Sequence, residues 1–124
     1  MTLREVKDIL DARAVVGENV LDSVSVTTAF SADLMSDVLA IAAPGCMLLT
    51  GLTSPQAVRT ASILDIAAIV LVRGKTPPKE TIDVAHELEI PILSTDYILF
   101  ETSGRLFAKG IVGCVRKVIK QVSA

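Results

Sequence analysis

The chain has 124 residues, a net charge of -2, 51% hydrophobic residues and only 3% aromatic residues. This length is that of one domain, whose core must consist of Val, Ile, Leu and Ala side chains. Charges of both signs are scattered along the chain, which excludes the basic face of a nucleic-acid-binding protein. The sequence has no run of about 18 apolar residues, the length that a membrane-spanning helix needs, and no apolar signal-peptide core near its first residues. We therefore expect a cytoplasmic location without membrane attachment.

Two cysteines and one histidine limit the chemistry that the chain can support. Cys46 and Cys114 lie far apart in the sequence and inside apolar runs, so we interpret them as small buried side chains in a reducing compartment. His86 has no second histidine for a metal site and no partners for a Ser-His-Asp triad. The sequence therefore predicts no metal, no cofactor and no catalytic residue.

The first part of the chain alternates helical and extended patterns. Thr2, with Glu5 three residues later, forms a capping-box pattern and predicts a helix that ends near Ala12. Residues 13–16 predict a short strand followed by a turn. Apolar and polar residues alternate over 24–28, which predicts a strand with one polar face, at a sheet edge or a partner surface.

A second helix is predicted before the turn at Pro44-Gly45. Ser31 can act as its N-cap, and Asp33 places a negative charge in its first turn. Its buried side is predicted to comprise Leu34, Val38, Ile41 and Ala42.

The rest of the chain is organised around residues 44–74. Two runs, 46–49 and 67–72, are continuously apolar, which is typical of parallel strands covered by helices on both faces. Between them, Ser54-Pro55 supplies an N-cap and a first helical residue, so a helix is predicted to about Leu64. Its sheet-facing side is predicted to comprise Val58, Ala61, Ile63 and Leu64.

Further helices and one strand are predicted after this unit. A helix with an apolar stripe precedes the strand 91–93, and Thr95 or Asp96 can cap the next helix, 97–108. The stripe comprises Ile82, Ala85 and Leu88. Residues 111–122 place apolar side chains at helical spacing opposite three cations, which predicts an amphipathic C-terminal element. The apolar side chains are Val115, Val118, Ile119 and Val122, and the cations are Arg116, Lys117 and Lys120.

The order of these elements predicts an α/β fold. We expect a single three-layer domain over 1–124, with its core at about 3–108 and the C-terminal element at 111–122. A mainly parallel sheet is flanked by helices on both faces. An aliphatic chain of this size covers its apolar surface most readily by pairing with a second copy, so we also expect a homodimer.

Three loops are predicted to meet at one edge of this sheet, because the carboxyl ends of parallel strands share an edge and ligands bind there. The loops supply hydroxyls, glycines, helix N-termini and cations, which suit a small anion or the phosphate of a nucleotide. The candidate ligand-binding residues are Thr50, Gly51, Thr53, Ser54, Arg73, Gly74, Ser94, Thr95 and Asp96. Hydroxyls and glycines also cap helices and make turns without any ligand, and this alternative remains open. Gly74-Lys75-Thr76 is not a P-loop, because Ile69 stands where that motif requires glycine.

Four segments of the chain resemble the DRTGG domain family over about residues 3–108. They are DLMSDVL (33–39), LLTG (48–51), IVLVRG (69–74) and IPILSTD (90–96). The family looks like the N-terminal domain of HPr kinase/phosphorylase and occurs inside some phosphotransacetylases. Members often carry an Asp-Arg pair after the Thr-Gly step, whereas this chain has Leu52-Thr53 there, which weakens the inference of a charged ligand contact in that loop.

The resemblance implies a three-layer α/β domain, often dimeric, that is regulatory or ligand-binding and has no established catalysis of its own. Our first hypothesis is a non-catalytic module that binds a small anionic metabolite or nucleotide at the three loops and changes its association with a protein partner. The second is an interaction or assembly module with no small ligand, which a sizeable exposed apolar patch away from the loops would favour. The third is an enzyme acting on a phosphorylated compound, with Asp96 as base.

Overall fold

The computed structural model describes residues 1–119. Its strands are β1 (Arg13–Val16), β2 (Thr28–Ser31), β3 (Met47–Thr50), β4 (Ala68–Leu71), β5 (Ile92–Ser94) and β6 (Val112–Gly113). Its helices are α1 (Leu3–Ile9), α2 (Met35–Ile41), α3 (Pro55–Ile63), α4 (Lys79–Leu88) and α5 (Leu99–Ala108), with a 3-10 turn at Glu18–Val20. No helix in the described part of the chain has the length and apolar character needed to cross a membrane.

The strands form one six-stranded sheet in the order β1-β5-β4-β3-β2-β6. Neighbouring strands from β5 to β6 are parallel, and only the edge strand β1 runs antiparallel, beside β5. The predicted α/β fold with a mainly parallel sheet is confirmed. Consequently the carboxyl ends of β2, β3, β4 and β5 lie at the same edge.

Helices cover both faces of the sheet, which gives three layers. The cluster under α1 and α5 includes Leu3, Val6, Leu10, Met47, Leu49, Val70, Leu93 and Leu106. The cluster under α2, α3 and α4 includes Val38, Leu48, Val58, Ala61, Ile69, Leu71, Ala85 and Ile92. Successive strand residues enter opposite clusters, so strands covered on both faces need apolar residues at every position.

The central unit folds as predicted, with one exception on its helix. The Ser54 hydroxyl caps α3 by accepting a hydrogen bond from Ala57 N (3.2 Å), and Pro55 is the first helical residue. Ala61 is fully buried, but Ile63, which the sequence places on the sheet-facing side, is 77% exposed. Two residues turn a helix by about 200°, so Ile63 points away from the face that Ala61 shares with the sheet.

The predicted strand over 24–28 is wrong, and the actual strand is β2. Residues 24–26 pair instead with the N-terminus, because Leu3 N donates to Val24 O (3.0 Å) and Val26 N donates to Met1 O (2.8 Å). Val26 is thereby buried outside the sheet. The alternating pattern arose from packing against α1 rather than from a place in the sheet.

The predicted start of the second helix is also wrong. Ser31 ends β2 instead of capping a helix, and α2 begins at Met35 with Leu34 as its N-cap. Leu34 is 62% exposed, while Val38 is fully buried as predicted. In the predicted stripe of α4, Leu88 is exposed and Ala85 is buried.

Two predictions near the C-terminus are wrong as well. Ile98 is the N-cap of α5, so neither Thr95 nor Asp96 caps it. Residues 111–119 contain β6 and no helix, because Val112 and Gly113 pair with the start of β2. The predicted amphipathic element is therefore not helical there, and its residues Lys120 and Val122 lie outside the described residues.

Candidate functional site

The loops that follow β3, β4 and β5 lie together at the carboxyl edge of the sheet. Main-chain hydrogen bonds tie them: Val72 N to Thr50 O (3.1 Å), Arg73 N to Tyr97 O (2.8 Å) and Gly74 N to Thr95 O (2.9 Å). We call residues 50–54, 73–76 and 94–97 the rim. The structure thus brings together the three loops that contain every candidate residue predicted from the sequence.

Three of the predicted rim hydroxyls are directed into the protein. Thr50, Ser94 and Thr95 are each 2% exposed or less. Their hydroxyls donate to Asp33 Oδ1 (3.4 Å), Lys75 O (2.7 Å) and Leu10 O (2.7 Å), respectively. These side chains therefore fix the shape of the rim, and their hydroxyl protons are already engaged.

Thr53 and Ser54 hold the rim against two helices. The main-chain oxygen of Thr53 accepts a hydrogen bond from Thr81 Oγ1 of α4 (2.6 Å). Ser54 caps α3, so the first turn of that helix, with the positive end of its dipole, begins directly at the rim. The two residues position the helix terminus that an anion would approach.

Asp33, from the loop after β2, is a fourth contributor that the sequence analysis did not place at the rim. Its Oδ1 accepts a hydrogen bond from Gly51 N at 2.7 Å, which joins the loop after β2 to the loop after β3. The sequence pattern predicted Asp33 in the first turn of a helix. Asp33 lies just after β2, as the other rim loops lie just after β3, β4 and β5. This shared position at the carboxyl end of a strand is the signal that could have identified Asp33 from the sequence.

Arg73 is the most distinctive residue of the rim. Arg73 and Gly74 have φ angles of 62° and 66°, so the chain takes two consecutive left-handed steps there. This conformation is unfavourable for arginine and is held by the two main-chain bonds of Arg73 N and Gly74 N described above. Arg73 is exposed, and within residues 1–119 its guanidinium forms no ion pair.

The Arg73 guanidinium packs on the main chain of Gly51. It occupies the space that the Cβ atom of any larger residue at position 51 would need. Glycine at this position therefore leaves room for the cation beside the loop after β3. The Asp96 carboxylate lies close to Gly74. Its Oδ1 atom is 3.0 Å from the position that a Cβ atom at residue 74 would occupy.

The rim thus combines the Arg73 guanidinium, the exposed ammonium group of Lys75, the N-terminus of α3 and the exposed Asp96 carboxylate. A guanidinium binds phosphate or carboxylate oxygens through two parallel hydrogen bonds, and a carboxylate accepts hydrogen bonds from sugar hydroxyls. In the described part of the chain, no three His, Cys, Asp or Glu side chains are grouped as metal ligands. The rim therefore carries groups that can bind an anion and a hydroxyl donor.

Comparison with known proteins identifies the family. The model of the DRTGG domain matches residues 5–108. The chain belongs to the DRTGG domain family. The resemblance inferred from the four sequence segments is thereby confirmed.

This DRTGG domain is also similar to a solved structure, the CBS and DRTGG domains of the regulatory region of Clostridium perfringens pyrophosphatase, in complex with the activator diadenosine tetraphosphate. The TM-score is 0.66 at 18% sequence identity, and the match covers 85% of this chain and 45% of that one. At this identity the likeness establishes the fold alone. The present chain spans less than half the length of the regulatory-region chain that it matches. No curated protein sequence matches the chain.

The DRTGG domain also has an apolar groove of about 240 Å³ along its β6 edge. Its lining includes Ala29, Leu49, Leu106, Phe107, Val112 and Val115. Phe107 is 70% exposed and Val115 45% exposed, so large apolar side chains face solvent here. An exposed apolar patch of this kind favours the second hypothesis, an interaction or assembly module with no small ligand.

Proposed function

We propose that this DRTGG domain is a non-catalytic regulatory module that binds a small anionic metabolite or nucleotide at the rim. The observation that carries the proposal is Arg73. The fold holds this residue in a left-handed conformation, lays its guanidinium on Gly51, and leaves it without an ion-pair partner among the described residues. A backbone held in an unfavourable conformation to present a cation is typical of binding sites.

The chemistry of the rim favours a nucleotide over a simple anion. Arg73 and the N-terminus of α3 can bind phosphate oxygens, whereas Asp96 would repel them and suits hydroxyl donors. A molecule with a phosphate at one end and a ribose at the other satisfies both. The diadenosine tetraphosphate bound to the pyrophosphatase regulatory region makes this compound the first nucleotide to test.

The proposal assigns no nucleophilic role to Ser94 or Thr95 because of how their hydroxyls are hydrogen-bonded. Ser94 and Thr95, the two residues that precede Asp96, donate their hydroxyl protons to main-chain carbonyls. A hydroxyl nucleophile instead needs its proton directed toward a base. Neither hydroxyl is therefore an activated nucleophile for Asp96, and we assign Asp96 a binding role.

A thermal-shift panel tests the proposal. Adenosine, AMP, ATP, diadenosine tetraphosphate, acetyl phosphate and inorganic phosphate are each added to the purified chain. We expect at least one nucleotide to raise the midpoint of unfolding by several degrees, because a ligand at 100 times its Kd stabilises by about 2.7 kcal/mol. Adenosine, which lacks phosphate, is the matched control and should give no shift. A flat response across the panel would contradict the proposal and favour the assembly module.

The groove supports a second element of the proposal, assembly as a homodimer in the cytoplasm. A contiguous group of exposed apolar side chains, such as the one that includes Phe107 in the groove, is typical of an interface, and pairing with a second copy is the commonest arrangement. A protein partner without any small ligand is the alternative that the same groove favours. The cytoplasm is proposed because both cysteines are free thiols, which a reducing compartment preserves.

Light scattering on two phenylalanine variants tests this assembly. The unmodified chain at about 100 µM should have the mass of a dimer, since association depends on concentration. Phe107→Lys, at the groove, should reduce the mass to that of a monomer. Phe100→Lys is the matched control, because Phe100 lies on the same helix, is 81% exposed and does not line the groove. A monomeric unmodified chain, or dissociation caused by Phe100→Lys alone, would count against the groove as the interface.

A further inference from the structure

A cavity separate from the apolar groove lies at the opposite end of the strands from the rim. It has a volume of about 410 Å³ and is found where β4 and β5 begin and β1 ends. We call it the amino-edge cavity; it is lined by residues from 16–24 and 86–91 and by Ala67. Because β4 and β5 are parallel and the rim follows their carboxyl ends, the length of these strands separates the two places. The volume lies within the range of pockets that hold small molecules.

The turn after β1 and the end of α4 form two walls of the amino-edge cavity. Gly17 has a φ angle of 88°, and a Cβ atom there would lie only 3.0 Å from Pro91 Cβ. The turn therefore packs directly against the chain that leads into β5, a contact that only glycine allows. On the other wall, Glu89 N donates to His86 O (3.3 Å) where α4 ends. The fold thus brings segments that are distant in the sequence around one space.

The lining of this cavity combines buried apolar side chains with exposed polar ones. Val16 is 4% exposed and Ile90 is 7% exposed, and Pro91 is also buried. The polar side chains are exposed and are those of Asn19, His86 and Glu89. A molecule bound here would therefore place an apolar part against the buried residues and a polar group at the mouth.

The mouth of the cavity favours positive charge. Glu89 follows the last residue of α4, where the main-chain carbonyls give the helix end a partial negative charge. Its carboxylate forms no ion pair within residues 1–119, and no lysine or arginine of that part of the chain lines the cavity. Asp11 and Asp65 share the left-handed conformation of Glu89 (φ 57°) after their own helices. What sets Glu89 apart from them is therefore its place in the cavity and not its backbone.

We propose that the amino-edge cavity binds a small organic cation, a primary amine with an apolar body. The ammonium group would donate to the Glu89 carboxylate, and a ring nitrogen of His86 and the amide oxygen of Asn19 can accept its other protons. The apolar body would pack on Val16 and Ile90. An anion is disfavoured at this mouth, so the ligand differs in class from the one proposed for the rim. The two proposals can therefore fail separately.

An NMR titration of the nitrogen-15-labelled chain tests the proposal. Phenethylamine is the probe, at concentrations up to about 10 mM because so small a molecule binds weakly. We expect saturable shifts of the amide signals of Gly17, Glu89 and Ile90, while those of Gly51 and Gly74 at the rim stay in place. Phenethyl alcohol, which has the same shape without the charge, is the matched control and should shift them much less. No saturable shift at the cavity, or equal binding of the alcohol, would overturn the proposal.

Two glutamate variants test the role of the carboxylate. Glu89→Gln keeps the shape of the side chain and removes its charge. It should weaken phenethylamine binding by about 10-fold, the lower end for a hydrogen bond to a charged group because Glu89 is exposed. Glu87→Gln is the matched control, since Glu87 is also exposed but does not line the cavity, and its affinity should be unchanged. An unchanged affinity in Glu89→Gln, or an equal loss in both variants, would rule out this carboxylate as the cation site.

Discussion

Replacing Ile69 by alanine is expected to lower the free energy of unfolding by about 2 to 5 kcal/mol, the range for removing a large aliphatic side chain from a core. Ile69 is 2% exposed and lies in β4, between β3 and β5, on the face covered by α3 and α4. The lost methyl and methylene groups leave a cavity in an interior where each strand position is in contact with helices. Urea unfolding should show the loss as a lower midpoint with an unchanged slope.

Ile63→Ala is the matched control for this prediction. Ile63 carries the same side chain but is 77% exposed at the end of α3, so its removal should change stability by no more than about 0.5 kcal/mol. The amphipathic pattern of the sequence predicted the opposite, that Ile63 faces the sheet. Equal losses from both variants would contradict the orientation of α3 in the structure.

The comparison of Ile69 with Ile63 shows where sequence patterns suffice. A strand buried on both faces needs apolar residues at each position, so the runs around Leu48 and Ile69 could be identified directly. The Ser54-Pro55 signal is equally local, because the hydroxyl and the ring act on the first turn of the same helix. At the end of a short helix, in contrast, the pattern does not decide whether a residue such as Ile63 still meets the sheet.

Elements whose position depends on distant partners were not predictable in this way. Residues 24–26 have the alternation of a strand, but the main chain of Met1 and Leu3 binds them outside the sheet. Val112 and Gly113 lie in a segment with helical spacing, yet they pair with β2. In both places a contact with a remote part of the chain overrides the local pattern, and a single sequence does not show that contact.

The candidate site was predictable to a similar extent. That the loops after β3, β4 and β5 meet follows from the parallel sheet alone. The parallel sheet does not predict that the Thr95 hydroxyl points inward, because the acceptor of its hydrogen bond, Leu10 O, lies 85 residues away in the sequence. The contact of Asp33 with Gly51, and that of Arg73 with the same glycine, likewise depend on how neighbouring loops fold over one another.

Arg73→Ala is expected to weaken the binding of a phosphate-bearing ligand by about 10- to 150-fold, which corresponds to a lost charge-assisted hydrogen bond of about 1.5 to 3 kcal/mol. Isothermal titration with the nucleotide that gives the largest thermal shift measures this loss. Arg59→Ala is the control for charge, because Arg59 is also exposed but lies on α3 outside the rim. An affinity unchanged in Arg73→Ala, or equally reduced in both variants, would show that Arg73 is not a ligand contact.

Gly51→Ala separates the position of the guanidinium from its charge. The added Cβ atom takes the space in which the Arg73 guanidinium lies, so the cation must move although the net charge stays the same. The clash is with the end of a flexible side chain, and Gly51 has no positive φ angle that alanine would strain, so the fold should tolerate the change. We therefore expect Gly51→Ala to lose affinity in the same direction as Arg73→Ala, with little effect on the free energy of unfolding. If the ligand binds Gly51→Ala as tightly as the unmodified chain, the position of Arg73 over Gly51 does not form the site, and only the net charge of the rim attracts the ligand.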